Sequence, residues 1–146
     1  MSVASNLEGN KAVTRRFLEE FKNRHNFDVI DDLFSPRAVI HLPAEGLPEG
    51  PEGQKAIGRV IFAAFPDVHV TLEYAIAEGN LVAERHTARA THQGEFMGIP
   101  ATGKSIYWTE NHFYRMENGR ISELWSEWSY QKVMEQLAPL GKAAVR

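Results

Sequence analysis

Two dipeptides, Gly79-Asn80 and Asn118-Gly119, interrupt long stretches in which apolar and polar residues alternate, and no other feature constrains the fold as much. A two-residue connection of this kind needs positive backbone dihedrals, which glycine and asparagine supply, and it closes an antiparallel hairpin. Strands are therefore expected at 68–77 and 81–93, and again at 104–116 and 120–128. Parallel α/β folds need a crossover between neighbouring strands and are excluded for this half of the chain.

Counting from the turns sets an expected register. The first hairpin pairs Glu78 with Leu81, Ile76 with Ala83, Tyr74 with Arg85 and Leu72 with Thr87. One face then carries Val70, Leu72, Tyr74, Ile76 and Ala83, while the face with Thr71, Glu73, Glu84 and His86 reads as the wetter one. The second hairpin pairs Glu117 with Arg120, Tyr114 with Glu123, His112 with Trp125, Glu110 with Glu127 and Trp108 with Ser129. Its opposite face collects Thr109, Phe113, Leu124 and Trp128.

Before residue 66 the period is helical. Asn10 is placed to cap a helix over 10–24, in which Val13, Phe17 and Phe21 form an apolar stripe and Arg15, Arg16, Glu19, Glu20 and Lys22 fall elsewhere. Asn26 opens a second helix over 26–34, ended by Ser35-Pro36, and a short strand follows at 37–42. Pro51 suits the first turn of a third helix over 51–64, and Ser129 is placed to cap a last one over 129–138. Three helices, antiparallel strands and a closing helix make an α+β order, with helices on one side of a curved sheet. The length, 146 residues, suits one domain spanning 1–146.

Composition narrows the chemistry. With no cysteine, disulfides, thiolate metal sites and cysteine nucleophiles are excluded. A net charge of −3 argues against nucleic acid as a partner, since binding it needs clustered Lys and Arg. The first ten residues lack the basic start and apolar run of a signal peptide, and no apolar stretch is long enough for a membrane span, so a cytoplasmic protein with no membrane partner is expected.

In the counted register Glu110, Glu127, His112, Trp108 and Trp125 share a face, toward which Arg85 and His41 converge. Carboxylates directly opposite each other should not both ionise in a dry site, so one Glu would keep a proton while the other acts as base. Arg85 would hold one Glu ionised or steady an enolate, and His112 would relay protons. Tyr74, Trp108 and Trp125 read as pocket walls, with His41 among the substrate-binding groups. The imidazoles and carboxylates lack a helical His-x-x-x-His or Glu-x-x-His pair, so no metal is expected.

The runs Val82-Ala83-Glu84-Arg85, Ala90-Thr91-His92-Gln93-Gly94, Phe96-Met97-Gly98-Ile99-Pro100-Ala101-Thr102-Gly103-Lys104 and Gly119-Arg120-Ile121-Ser122-Glu123-Leu124-Trp125, with Arg115 before the last, resemble the SnoaL-like polyketide cyclase or ester cyclase family of the NTF2-like superfamily. The resemblance runs from about Asn10 to Gly141. It implies a cone-shaped sheet packed on three N-terminal helices with a short C-terminal helix, an apolar pocket between them, and ring-closing aldol chemistry without metal or organic cofactor. It also implies a pocket histidine near His41. The family's acid/base Asp lies four residues after the strand's Trp, where this chain has Ser129. Related NTF2-like epoxide hydrolases carry a carboxylate two residues after that Trp and an Arg on a neighbouring strand, matched by Glu127 and Arg85, although their second acid falls on Thr87.

Together these readings point to an enzyme without a cofactor, doing acid/base chemistry of the cyclase, isomerase, dehydratase or hydrolase kind on a small apolar oxygenated molecule. The competing expectation is a non-catalytic binding or assembly module on the same scaffold. A homodimer is expected through the outer sheet face, at Phe113, Leu124 and Trp128.

Overall fold

The computed structural model describes residues 6–42 and 44–138. Helix α1 (Leu7–Arg16) runs on without a break into a π-helical segment, Phe17–Asn23. There follow α2 (Val29–Leu33), β1 (Phe34–His41), α3 (Pro51–Ala64), β2 (His69–Glu78), β3 (Leu81–Thr91), β4 (Ser105–Glu117), β5 (Arg120–Trp128) and α4 (Tyr130–Leu137). The five strands form one curved, unclosed sheet in the order β1-β5-β4-β3-β2. Both expected hairpins form, and Gly79, Asn118 and Gly119 take the positive φ values their turns require. One pairing departs from the antiparallel pattern: β1 joins the far edge parallel to β5, setting Ile40 beside Leu124 and His41 beside Trp125. No described helix is long and apolar enough to cross a membrane.

Asn10 is not a cap. The helix begins at Leu7, and Asn10 is buried inside it. One face of α1 and the π segment contributes Phe17 and Phe21 to a core cluster with Phe34, Tyr114, Ile121 and Leu124. A second cluster gathers Phe65, Phe96, Ile106, Trp108, Val133 and Leu137 at the other end of the sheet. Helix α3 lies close over the first cluster because position 58 is glycine. A Cβ there would come within 2.5 Å of the Phe21 ring.

Two bulges overturn the counted register. In β5 the hairpin starts as expected, with Glu117 opposite Arg120, but Met116 faces Ile121 and Arg115 faces Glu123, so Ser122 is an extra residue. Its hydroxyl donates to the Arg115 carbonyl at 3.1 Å. Beyond it every β5 side chain changes face, because alternation has period two. Tyr114 lies opposite Leu124, His112 opposite Ser126 and Glu110 opposite Trp128, instead of Glu123, Trp125 and Glu127. In β2, Glu73 is the extra residue, with Leu72 opposite His86 and Tyr74 opposite Arg85.

Burial follows the shifted register. Leu124 is 1% exposed and belongs to the core, and Trp128 packs inward against Phe96 and Trp108, so neither contributes to an outer patch with Phe113. The face expected to be wet is dry: Glu84 is 4% exposed and His86 fully buried, whereas Tyr74 is 68% and Ile76 67% exposed on the outer face. The outer face instead carries a row across all five strands, Ile76, Ala83, Phe113, Trp125 and His41.

The bulge makes a measurable distinction on β5. Leu124→Ala should destabilise the fold by about 2–5 kcal/mol, the usual cost of emptying a buried leucine site, and Glu127→Ala should stay within about 0.5 kcal/mol. Urea denaturation of the two variants checks this, and the unbulged register would reverse the order.

Candidate active site

The centre of the inner sheet face holds acids and imidazoles where core residues would be expected. Strand β3 turns Val82, Glu84, His86, Ala88 and Ala90 inward, and β4 turns Ile106, Trp108, Glu110, His112 and Tyr114 inward. Their register sets Glu84 opposite His112 and His86 opposite Glu110, so each acid faces an imidazole across the pair and no two carboxylates meet. The two rings lie 4.7 Å apart, centroid to centroid.

The π segment adds a cation from above. Hydrogen bonds that span one residue more than in an α-helix shift the side-chain spacing, and Lys22 comes round to the sheet side, its Nζ 5.6 Å from the centroid of the Phe17 ring. Nζ donates to Glu110 Oε1 at 2.8 Å and lies 3.0 Å from His112 Nε2. The same carboxylate oxygen lies 2.9 Å from His112 Nε2 and 3.4 Å from His86 Nδ1, and Oε2 accepts from Trp108 Nε1 at 2.7 Å. Behind it, His86 Nε2 lies 2.8 Å from Glu84 Oε1, and Glu84 Oε2 accepts from the Thr14 hydroxyl at 2.8 Å.

These contacts set charge states. Burial works to raise the Glu110 carboxyl, but Lys22 beside it, with the His112 and His86 contacts, outweighs burial and holds it well below the usual carboxylate range. Burial likewise opposes ionisation of Glu84, and the His86 and Thr14 hydrogen bonds bring it below its ordinary value. His112 is pushed down to about 4, by burial first and by Lys22 second, against the pull of Glu110. At neutral pH the site therefore holds two carboxylates and a neutral His112.

Solvent reaches this array from the helix side. Two adjoining cavities of about 70 and 80 Å³ lie between α3 and the sheet, and both are lined by Lys22, Gln54, Ile57, Ile61, Trp108 and Glu110. Each is about half the roughly 150 Å³ of an engineered apolar cavity that admits benzene. A wider groove of about 660 Å³ runs along β1 and the start of α3, but no buried polar group among the described residues lines it.

Of the residues expected at the site, Glu110, His112 and Trp108 come together here. Glu127, Arg85, Trp125, Tyr74 and His41 lie on the outer face, on the other side of the sheet from Glu110. Arg85 donates to Asn111, and His41 contacts Glu123 at 2.8 Å while stacking on Trp125. Ser129 sits at the end of β5 with its Oγ accepting from the Thr109 amide and donating to the Thr109 carbonyl. Lys22, Thr14, Glu84 and His86 were not expected. The signal for the last two was present: they share parity with Val82, Ala88 and Ala90, whereas Arg85, Thr87 and Arg89 hold the alternate positions.

The helices over an unclosed, curved sheet make an α+β fold of the NTF2-like kind. The SnoaL-like polyketide cyclase family profile matches residues 12–137, and the chain belongs to that family. It is similar to IdmH of Streptomyces antibioticus, a candidate polyketide cyclase, at 34% identity over 88% of this chain and 97% of that one, with a TM-score of 0.78. AclR of Streptomyces galilaeus, a candidate hydroxylase, is 28% identical over 97% and 85% of the two chains, with a TM-score of 0.81. A SnoaL-like candidate cyclase from Jannaschia sp. CCS1 shares the fold at 21% identity over 92% and 95% of the chains and a TM-score of 0.81. No curated protein matches the chain.

The charge states predict an acid-labile fold. A histidine whose folded value lies below its unfolded one contributes stability above about 6.5 and loses it as pH falls toward 4. Glu110 adds a further loss below 4.5, where the unfolded carboxyl takes up a proton before the folded one does. Urea midpoints should fall between pH 7 and pH 4.5, with a His112 share on the order of 3 kcal/mol over its full window. His112→Gln should flatten the fall between pH 6.5 and 5. Equal stability of the unaltered chain at pH 7 and 4.5 would rule this out.

Proposed function

We propose that this chain is an enzyme of the cyclase/isomerase kind that works by acid/base chemistry without a cofactor, on a small apolar molecule bearing a carbonyl group. The observation that carries the reading is the Glu110 carboxylate, which reaches the cleft and is bonded there to Lys22. Family membership and the candidate cyclase at 34% identity support the class of reaction.

In this reading a substrate carbonyl enters between Lys22 and Trp108 and accepts a hydrogen bond from Nζ. As the ammonium turns to the carbonyl, Glu110 loses the partner that most depresses its basicity and takes the proton from the adjacent carbon. The ammonium then faces the enolate oxygen, in a cavity whose water the bound substrate displaces. Attack of the enolate carbon on a second carbonyl closes a ring, and the alkoxide formed takes the proton held by Glu110; return of that proton to another carbon of the enolate isomerises instead. Glu84 and His86 hold the array in register from behind and touch no substrate. The cavities admit one small group of the substrate, flanked by Ile57 and Ile61, with the remainder at the cleft mouth. Glu127 and Arg85, on the outer face, have no part in this scheme.

The residue-level test uses aromatic β-keto esters in deuterated buffer, with exchange at the carbon between the carbonyls followed by NMR. Glu110→Gln should lower the protein-catalysed rate by about 10²-fold or more, and Glu127→Gln should leave it within about twofold. The opposite ranking would move the chemistry to the outer face, and no exchange by the unaltered protein would favour a binding module.

The reading extends to a homodimer formed through the outer face, supported by the row in which Ile76 and Phe113 are exposed and Trp125 is half-buried, a larger apolar strip than single surface residues make. A cytoplasmic location accords with a chain that has no cysteine to oxidise. Sedimentation should give twice the chain mass at micromolar concentration, and Phe113→Glu should halve it. A monomeric unaltered chain would remove the dimer from the proposal.

A further inference from the structure

The acids and imidazoles of the inner face have the form of a cation site. His86 Nδ1, Glu110 Oε1 and His112 Nε2 each offer one ligand atom, and all three lie within 4.8 Å of one another. Two of the edges are 2.9 and 3.4 Å. Ligands bound about 2.1 Å from a zinc-like ion stand roughly 3.0–3.4 Å apart, so both edges that meet at Glu110 are already near coordination spacing. Two imidazoles and one carboxylate is a donor set suited to divalent ions of the first transition row.

The groups behind the donors are those that orient metal ligands. The far nitrogen of His86 contacts the Glu84 carboxylate, itself held by Thr14, and the second oxygen of Glu110 accepts from the Trp108 indole. An imidazole backed by a carboxylate has its tautomer fixed, with the lone pair on the nitrogen that faces the ion. His112 Nδ1 has no hydrogen-bond partner among the described residues, so no group there holds the ring in the tautomer that would protonate Nε2. The cleft, lined by Lys22, Gln54, Glu110 and Ser126, reaches the three donors on their Glu110 side.

A cation already stands at this place. Lys22 Nζ contacts Glu110 Oε1 at 2.8 Å and His112 Nε2 at 3.0 Å, two of the three donor atoms. We propose that His86, Glu110 and His112 form a latent transition-metal site whose cation position is held by the Lys22 ammonium, so that an ion such as Co2+ or Zn2+ binds only by displacing Lys22. The exchange is electrostatically balanced: one ammonium answers two buried carboxylates, Glu84 and Glu110, and a dication would answer both. Lys22 has a route out, because its side chain borders the cleft.

The inference concerns the residues of the proposed acid/base site but rests on their geometry, and metal binding is read separately from turnover. Full-length protein is titrated with Co2+ and followed by visible absorption. Lys22→Met should bind Co2+ at least about tenfold more tightly than the unaltered chain, and His112→Ala in the Lys22→Met background should abolish the absorption. Lys22→Gln, which keeps a donor toward Glu110, repeats the comparison if circular dichroism shows that Lys22→Met does not fold. Millimolar Co2+ should also raise the thermal midpoint of the unaltered chain, and His112→Ala should remove that rise. Equal Co2+ affinity with and without Lys22, binding that survives loss of His112, or no midpoint shift in the unaltered chain would each overturn the proposal. Loss of catalysed exchange in Glu110→Gln with Co2+ binding unsupported would leave the acid/base reading standing alone.

Discussion

Ser122 adds one residue to β5, and the composition of both sheet faces depends on it. Without the bulge, Glu123, Trp125 and Glu127 would point at the helices and Leu124 at solvent. With it, Leu124 joins Tyr114 and Ile121 beneath Phe17 and Phe21, and two glutamates stay in water. Burying a leucine side chain is worth about 1.5–3 kcal/mol, and an unpaired buried carboxylate costs more than that, so the core and the acids favour the same register. The bulge's own cost is small, because the Ser122 hydroxyl satisfies the Arg115 carbonyl.

Given that register, β3 and β4 place a charged cluster where the sheet is best covered. Two carboxylates cannot be buried there unless every oxygen has a partner, and they are accounted for: Thr14 and His86 on Glu84, and Lys22, His112, His86 and Trp108 on Glu110. The π segment is part of this solution. An α-helix continued through Phe17–Asn23 would present Phe17 and Phe21 to the core but carry Lys22 off to the side. The longer hydrogen-bond span brings the lysine over the sheet as well, and Asn23 at its end pairs with both backbone groups of Val70 on the edge strand. Helix geometry, edge protection and the supply of a cation are one local feature.

This explains which parts of the molecule were legible in the sequence. Turn chemistry is local, so Gly79-Asn80 and Asn118-Gly119 specified both hairpins and, through them, the fold class. A bulge leaves no comparable mark: Ser122 and Glu73 are ordinary strand residues, and what selects them is the tertiary demand for Leu124 and Leu72 inside. Since one slip inverts every later side chain, the unseen bulge at Ser122 was enough to move Glu127 and Trp125 out of the expected site, whereas Tyr74 pairs with Arg85 as counted and lies outside because the two faces of the first hairpin were assigned the wrong way round. Glu110, His112 and Trp108 on β4 survived because the inner and outer parity of that strand was assigned correctly. Lys22 was illegible for a different reason, since a count at the α-helical period puts it on the polar face.

Ser129 stands where the family's acid was expected, at the end of β5, and it is engaged with the Thr109 backbone there. The buried acids of this chain lie at the centre of the sheet, Glu110 one strand away and Glu84 two, with Glu110 in reach of a lysine that the helix supplies. A carboxylate at a strand end is tuned by solvent and by its immediate neighbours. One in the sheet's middle is tuned by a fixed set of donors, and the ligand that displaces one of those donors changes its basicity. In the proposed reading, binding and activation are coupled through Lys22, whose single positive charge can face Glu110 or the incoming group.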